Sequence, residues 1–293
     1  IKKHHFIIII GVLMTIDIWT IDKRYLNETH FVNQVNSSIK LSKQEKDIHK
    51  SIYQKNTNKS RVLNYNNPFN ESTTSYFHNS IGGYHAAKLL RYQELIDNHL
   101  SKNNISVLSM LNCGWIITPN QQNSRMQAVE SKSIGINPLG HAWFASEKKL
   151  VEDANEELDA LNSFDPANTV IIDKRYSEEL KEFIKDSSAT INLDLKSYKP
   201  NHLTYNLTNV VSDQLAVFSE IYYEKGWNAY IDNKVVPHFR ANYVLRSMMV
   251  PAGTNQIEFK FEPSVYQIGE TIALSSSLLL IILLSLVTYR ELK

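Results

Sequence analysis

The feature that most constrains this chain is an uncharged run near its C-terminus. Residues 271–289 form 19 consecutive positions without a charged side chain, centred on seven leucines and isoleucines at 278–284. A helix of that length rises about 28 Å, close to the roughly 30 Å hydrocarbon core of a bilayer. A buried helix of a soluble protein is the alternative, but such helices rarely run so far without a polar stripe. The run therefore predicts a transmembrane helix over 268–289.

A second apolar run lies at the N-terminus. Two lysines precede it, residues 6–16 are uncharged, and charge returns at Asp17. A secretory signal peptide shares this pattern, but no cleavage site of small residues follows. Residues 4–21 are long enough to span a bilayer if Asp17 lies near the far interface beside Trp19. We therefore expect a second transmembrane helix here. Because the chain does not begin with Met, we also expect this helix to be truncated and the chain to be part of a longer protein.

Basic residues flank the outer ends of both predicted helices, with two lysines before the first and Arg290 and Lys293 after the last. The positive-inside rule then places both ends of the chain in the cytoplasm. Residues 22–265, approximately, would lie on the opposite side of the membrane.

Composition excludes several classes of function. The 31 Lys and Arg residues are balanced by 30 Asp and Glu, so the chain lacks the basic surplus of a nucleic-acid-binding protein. The single cysteine cannot form an internal disulfide, and none of the ten histidines has a common zinc-binding spacing. Nine glycines and no phosphate-binding loop argue against a nucleotide-binding α/β domain. We therefore expect neither a metal nor a cofactor.

Three regions follow one another between the predicted membrane helices. Residues 22–60 are polar and read as a linker or an exposed helix, whose lysines face water or, alternatively, anionic lipid headgroups. Residues 61–187 mix strands and helices, with one helix beginning just after Gly82 and Gly83. Residues 188–263 alternate polar and apolar positions between turn signals, which predicts an antiparallel β-sandwich of jelly-roll type, with a barrel as the next choice. The expected fold class is α+β, with a transmembrane helix on either side.

The densest group of chemically useful side chains lies between residues 76 and 92. Aromatic rings stack on sugar faces, and histidine or arginine side chains donate hydrogen bonds to hydroxyls or phosphates. The alternative is that the tyrosines pack at the edge of the core and the basic residues are solvated. The candidate substrate-binding residues of this segment are Tyr76, His78, Tyr84, His85 and Arg91.

A further candidate is Trp227, which could be an exposed platform for a ligand or a large residue of the sandwich core. No complete set of catalytic side chains is recognisable, so the catalytic residues stay unassigned.

Several stretches, taken in order, resemble the extracytoplasmic region of YfhO-type bacterial membrane proteins, and the resemblance covers nearly the whole chain. The individual motifs are short, but their order and spacing are shared. They are Asp17–Trp19, Arg61–Asn64, Asn67–Asn70, Ser75–Tyr92, Asn137–Phe144, Gly226–Asp232 and Val250–Gly253.

The resemblance implies the C-terminal part of a polytopic protein of the bacterial inner membrane. Such proteins are similar to GT-C-type glycosyltransferases, which transfer a sugar from a polyprenyl-phosphate carrier to a cell-envelope polymer. The expected partners are therefore membrane lipid, the lipid-linked sugar and the polymer. A non-catalytic, membrane-tethered binding or assembly module of the envelope is the alternative. Because the catalytic carboxylate of that architecture lies in an earlier loop, the resemblance assigns no catalytic residue to this chain.

Overall fold

The computed structural model describes residues 3–30, 41–180 and 192–293. The chain divides into a terminal unit, which contains residues up to 41 and from 264 onwards, and a compact unit of residues 42–263. The α-helices are α1 Lys3–Tyr25, α2 Lys43–Lys55, α3 Thr73–Phe77, α4 Leu90–Asn98, α5 Ile105–Met110, α6 Ala154–Ala160 and α7 Ser264–Leu292. The strands are β1 Arg61–Asn64, β2 Cys113–Pro119, β3 Met126–Glu130, β4 Ala142–Ala145, β5 Glu147–Val151, β6 Thr169–Asp173, β7 Asn192–Lys199, β8 His202–Thr208, β9 Gln214–Ile221, β10 Trp227–Ile231, β11 Lys234–Val236, β12 Phe239–Ala241, β13 Leu245–Val250 and β14 Gln256–Phe261.

The terminal unit contains two helices that are long and apolar enough to cross a membrane, within the segments His5–His30 and Ser264–Glu291. Their leucines and isoleucines lie on all sides of each helix, and more than half of the surface of a typical one, such as Leu280, is exposed. Leaving such side chains in water would cost free energy in proportion to their apolar area. A lipid surrounding removes that cost.

The polar region before the first strand contains helix α2. Ser42 and Glu45 form a capping box, in which each side chain binds the other residue's backbone N–H. The helix is not exposed all round, because Ile48, His49 and Ile52 are buried. The predicted linker or exposed helix is thus an amphipathic helix at this point, and residues 31–40 lie outside the described residues.

The N-terminal part of the compact unit combines two small sheets with short helices. Strands β1, β2 and β3 form a mixed sheet in that order, and β5 pairs in parallel with β6. Helix α6 begins after Asp153, whose carboxylate caps it by accepting two backbone N–H bonds. A 3-10 helix covers Lys174–Glu179, and residues 181–191 lie outside the described residues.

The C-terminal part consists of two facing antiparallel sheets. One has the strand order β11-β10-β14-β8-β7, and the other the order β12-β13-β9-β4. Apolar residues of both sheets share one buried cluster, at whose centre the rings of Tyr205, Phe218 and Phe259 meet edge to face. The predicted α+β fold class is confirmed. Strand β4 joins the second sheet from outside the predicted 188–263 range, and the opposite face of that sheet packs on the N-terminal core.

Candidate functional site

A tight turn at Gly82 and Gly83 fixes the start of the candidate segment. The backbone before it pairs with Val62 of β1, and the Gly83 N–H donates to the Pro68 carbonyl oxygen at 2.7 Å. A Cβ at Gly82 would lie 1.8 Å from that oxygen, and Gly83 has a φ of +109°. Only glycine fits both positions, so the turn is held rigidly against the 68–71 loop.

Helix α4 begins at Leu90 and not directly after the two glycines, which corrects the prediction. Residues 84–89 stay non-helical because their backbone groups bind elsewhere. The Tyr84 N–H donates to the Glu71 carbonyl oxygen, and the Ala87 N–H donates to Nδ1 of His85. The N-cap position is occupied by Leu89, whose apolar side chain forms no capping hydrogen bond.

Arg91, in the first turn of α4, lines a cleft of about 310 Å³, which we call the Arg91 cleft. Its walls come from α4, the segment 221–225 after β9, and the turn between β12 and β13. Besides Arg91 it is lined by aromatic and charged side chains, chiefly Tyr222, Tyr223, Lys225, Arg240 and Tyr243.

A buried charged trio lies beneath this cleft. Glu157 on α6 has no exposed surface, and its Oε2 lies 3.0 Å from Nη1 of Arg91 and 3.8 Å from Nε of Arg240. Its other oxygen accepts the N–H of Tyr243 at 2.9 Å. Burial raises the pKa of the Glu157 carboxyl, and the two guanidinium groups oppose that rise. The formal charges of the trio sum to +1, and the cleft is also lined by the acidic Glu224 beside Lys225.

Tyr222 and Tyr243 remain protonated over the physiological range. Burial raises the pKa of Tyr222 and of Tyr243 to about 12, and a hydrogen bond to Glu94 adds to the rise at Tyr243. The guanidinium carbon of Arg91 lies 4.4 Å from the centre of the Tyr243 ring, within cation–π distance. The cleft therefore offers neutral hydroxyls and aromatic faces beside cationic groups, a combination that suits an anionic, hydroxylated ligand.

His85 lines a neighbouring cleft of about 330 Å³, together with Lys88 and the two-glycine turn. Leu89, Tyr92 and Ile221 line both clefts, so the start of α4 forms the wall between them. The Tyr92 hydroxyl donates to the Ile81 carbonyl oxygen, which fastens this wall to the turn.

Tyr76 and His78 lie in a third cleft, beside Tyr53 of α2. His78 Nε2 is 3.0 Å from Nδ1 of His49, and burial is the main cause that lowers the pKa of His78 to about 4. Tyr84 is largely exposed and lines none of these three clefts. The structure thus distributes the predicted site over several surfaces and brings only His85 and Arg91 to adjoining clefts.

Trp227 of β10 is partly buried between side chains of both C-terminal sheets. The guanidinium carbon of Arg246 lies 4.0 Å from the centre of the indole ring, and the Phe261 ring is 5.4 Å away. Trp227 lines none of the three clefts described above. Its contacts are those of a packing residue.

Sequence reasoning missed three residues of the Arg91 cleft, namely Glu157, Arg240 and Tyr243. No local sequence pattern marks them, because β12 has only three residues and the φ of +70° at Tyr243, uncommon for a bulky side chain, is visible only in the structure. Among residues 3–30, 41–180 and 192–293, no group of three or more metal-ligating side chains could hold a metal ion.

Comparison with known proteins gives one match. The family model described as "Bacterial membrane protein YfhO" matches residues 23–273. No curated protein and no solved structure matches the chain.

Proposed function

Because the chain belongs to the family of the bacterial membrane protein YfhO, we propose that it forms the ligand-binding region of a membrane glycosyltransferase-like protein. In this proposal the protein resides in the bacterial inner membrane, and residues 22–265, approximately, lie outside the cytoplasm. The whole protein transfers a sugar from a polyprenyl-phosphate carrier to a polymer of the cell envelope. The present chain supplies two membrane helices and the region that holds a substrate.

The Arg91 cleft carries this proposal. A lipid-linked sugar presents hydroxyls and a phosphate, and the cleft pairs tyrosine rings with Arg91, Arg240 and Lys225. Arginine binds phosphate through two parallel N–H bonds, and aromatic rings cover the apolar face of a sugar. His85 in the adjoining cleft supports the same assignment. The catalytic carboxylate is not assigned to any residue of this chain.

The test is sugar transfer in membrane vesicles that contain the full-length protein. Arg91→Gln removes a charged contact to the ligand, and we expect about a tenfold loss of transfer, equivalent to ~1.4 kcal/mol. Tyr222→Phe removes one hydroxyl and leaves the buried trio intact, so it separates ligand binding from folding. Arg125→Gln, at an exposed arginine outside the cleft, is the matched control. Full activity in both Arg91→Gln and Tyr222→Phe would overturn the assignment.

A non-catalytic, membrane-tethered binding or assembly module is the second candidate. Two observations favour it. The predicted substrate-binding residues lie on separate surfaces, and some of them already bind other side chains of the protein, since His78 contacts His49 and Arg91 contacts Glu157. In this function the protein binds envelope polymer and transfers no sugar to it. If the vesicles bind labelled polymer through the Arg91 cleft and never incorporate sugar, the second function replaces the first.

A further inference from the structure

One side of helix α2 presents a row of lysines to the surroundings. Lys43, Lys46 and Lys50 follow one another at spacings of three and four residues, so they share one face of the helix. All three are exposed, and none forms an ion pair within the described part of the chain. The buried face of the helix, with Ile48 and Ile52, points into a small core against β1, β2 and β3.

An aromatic patch borders this lysine row. Tyr53, one helical turn beyond Lys50, is 78% exposed, and Tyr76 is 67% exposed. The Phe77 ring lies 4.9 Å from the ring of Tyr76, edge to face, and stacks on His49 at 4.6 Å. The three rings line one open cleft together with Lys59. Contact with water alone does not explain why three neighbouring aromatic rings are exposed beside these lysines.

We propose that the lysine row of α2 and the rings of Tyr53, Tyr76 and Phe77 form a surface that contacts anionic lipid headgroups. Lysines beside a membrane are attracted by anionic lipid, and tyrosine rings are favoured at the headgroup level, where one end of the ring is apolar and the other wet. The acidic groups facing this surface are few. Asp47 is exposed on α2, Glu45 is engaged with Ser42, and Glu71 accepts the Thr74 N–H.

The connection to the first membrane helix makes this contact attainable. Tyr25 ends α1 and Ser42 caps α2, so 17 residue steps join them (42 minus 25). At 3.3–3.6 Å per residue, even a fully extended chain reaches at most about 60 Å. A connection of this length permits the surface to reach lipid headgroups, and an attraction for anionic headgroups would hold it there.

The experiment measures the depth of a spin label in nanodiscs that contain the full chain. Tyr53→Cys provides the labelling site. Cys113 need not be replaced, because it is buried and burial raises the pKa of its thiol to about 11. We expect the label at position 53 to be more accessible to oxygen and less accessible to a water-soluble nickel chelate in anionic bilayers. Val235→Cys, at an exposed apolar residue of β11, is the matched site and should remain water-exposed.

Charge reversal separates lipid attraction from simple proximity. Lys43→Glu, Lys46→Glu and Lys50→Glu together should return the position 53 label to the water-exposed value, because each lysine near an anionic surface strengthens the contact about fivefold. The same change at three other exposed lysines, Lys196, Lys199 and Lys234, should have no effect. Equal label depth in anionic and zwitterionic nanodiscs, or protection of the label by soluble saccharide and not by lipid, would overturn the proposal. The Arg91 cleft plays no part in this readout, so failure here leaves the proposed function untouched.

Discussion

Arg91 donates a hydrogen bond from Nη1 to Oε2 of Glu157 across 3.0 Å, and the accepting carboxylate has no exposed surface. This contact joins α4 to α6, and the second oxygen of Glu157 holds the backbone of Tyr243 in the turn between β12 and β13. Two of the three walls of the Arg91 cleft, α4 and the turn between β12 and β13, therefore meet at one buried carboxylate. The position of these two walls relative to each other depends on that residue.

Replacing this carboxylate by an amide should destabilise the protein. Glu157→Gln retains the shape of the side chain but removes the anion that lies between the guanidinium groups of Arg91 and Arg240. Arg240 is almost completely buried, so water cannot replace that anion. Breaking a buried ion pair by removing one partner costs about 3–5 kcal/mol. Burial already raises the pKa of Glu157, so we expect the lower end of this range. For 150–250 residues that corresponds to a melting temperature lower by about 6–12 °C.

The measurement is thermal unfolding of the purified chain in detergent, followed by tryptophan fluorescence. Glu156→Gln, at the exposed neighbour on the same helix, is the matched control and should change stability by less than about 0.5 kcal/mol. Equal melting temperatures for both variants would show that the trio does not hold the cleft walls together.

The β-rich half of the fold was predictable because its strands alternate polar and apolar residues. Strands β7 and β8 lie where this alternation predicts them. Strand β9 is buried along nearly its whole length, because one face packs on the other sheet and the opposite face on the N-terminal core, so its burial does not alternate. Strand β5 escaped prediction because its sequence Glu-Lys-Lys-Leu-Val has little apolar content and only its last residue is buried. Strand β12 has three residues, too few to show a period. Such elements are stabilised by the sheets they join, which a local pattern does not reveal.

The Arg91 cleft was only half predictable, for a related reason. Arg91 belongs to a dense group of polar and aromatic residues, whereas Glu157 lies in an acidic segment whose composition is typical of a solvated helix. Its burial results from contacts with residues 66 and 86 positions away along the chain. No local pattern distinguishes such a carboxylate from its exposed neighbour Glu156.

Adding a methyl group at Gly82 should disturb the wall of the His85 cleft. Its Cβ would lie 1.8 Å from the Pro68 carbonyl oxygen, which already accepts the Gly83 N–H. Relieving that overlap requires backbone movement, and overpacking of this kind costs about 1–3 kcal/mol. We expect Gly82→Ala to lower the melting temperature more than Gly135→Ala. At Gly135 a Cβ meets no atom within 4 Å, and the cost there is only the strain of a positive φ. The reverse order of melting temperatures would contradict the close approach of the turn to Pro68.

Trp227 and Arg246 should show energetic coupling in stability measurements. Arg246 is 3% exposed, donates from Nε to the Ile221 carbonyl oxygen and lies over the indole ring. A desolvated cation–π contact contributes about 2 kcal/mol. In a double-mutant cycle of Trp227→Leu and Arg246→Met, we expect a coupling free energy of about 1–2 kcal/mol. A coupling near zero would contradict the packing role and return Trp227 to the substrate-binding role expected from the sequence.

His238 should make the protein sensitive to acid. Its ring lies 5.6 Å from the Phe259 ring and 5.5 Å from the Tyr222 ring, and Nε2 has no hydrogen-bond partner among the residues that the structure describes. Burial, reinforced by the nearby positive charge of Arg246, lowers the pKa of His238 to about 4. An unfolded histidine has a pKa of about 6.5. Between these two values the unfolded chain binds more protons than the folded one, so stability falls as the pH drops from about 6.5 towards 4.

His238→Phe removes this proton-binding site and keeps an aromatic ring between its neighbours, so its melting temperature should fall less steeply over the same pH range. The pH dependence of the melting temperature should become weaker in this variant but should not disappear, because burial also lowers the pKa values of His78, His99 and His141. His85→Asn, at an exposed histidine, should follow the unmodified chain at every pH. The check is the melting temperature at half-unit intervals from about pH 7 to pH 4, a window that brackets the folded and unfolded pKa values of histidine. Parallel curves for His238→Phe and the unmodified chain would mean that His238 takes up its proton without opposing folding, and that water reaches its ring in the native state.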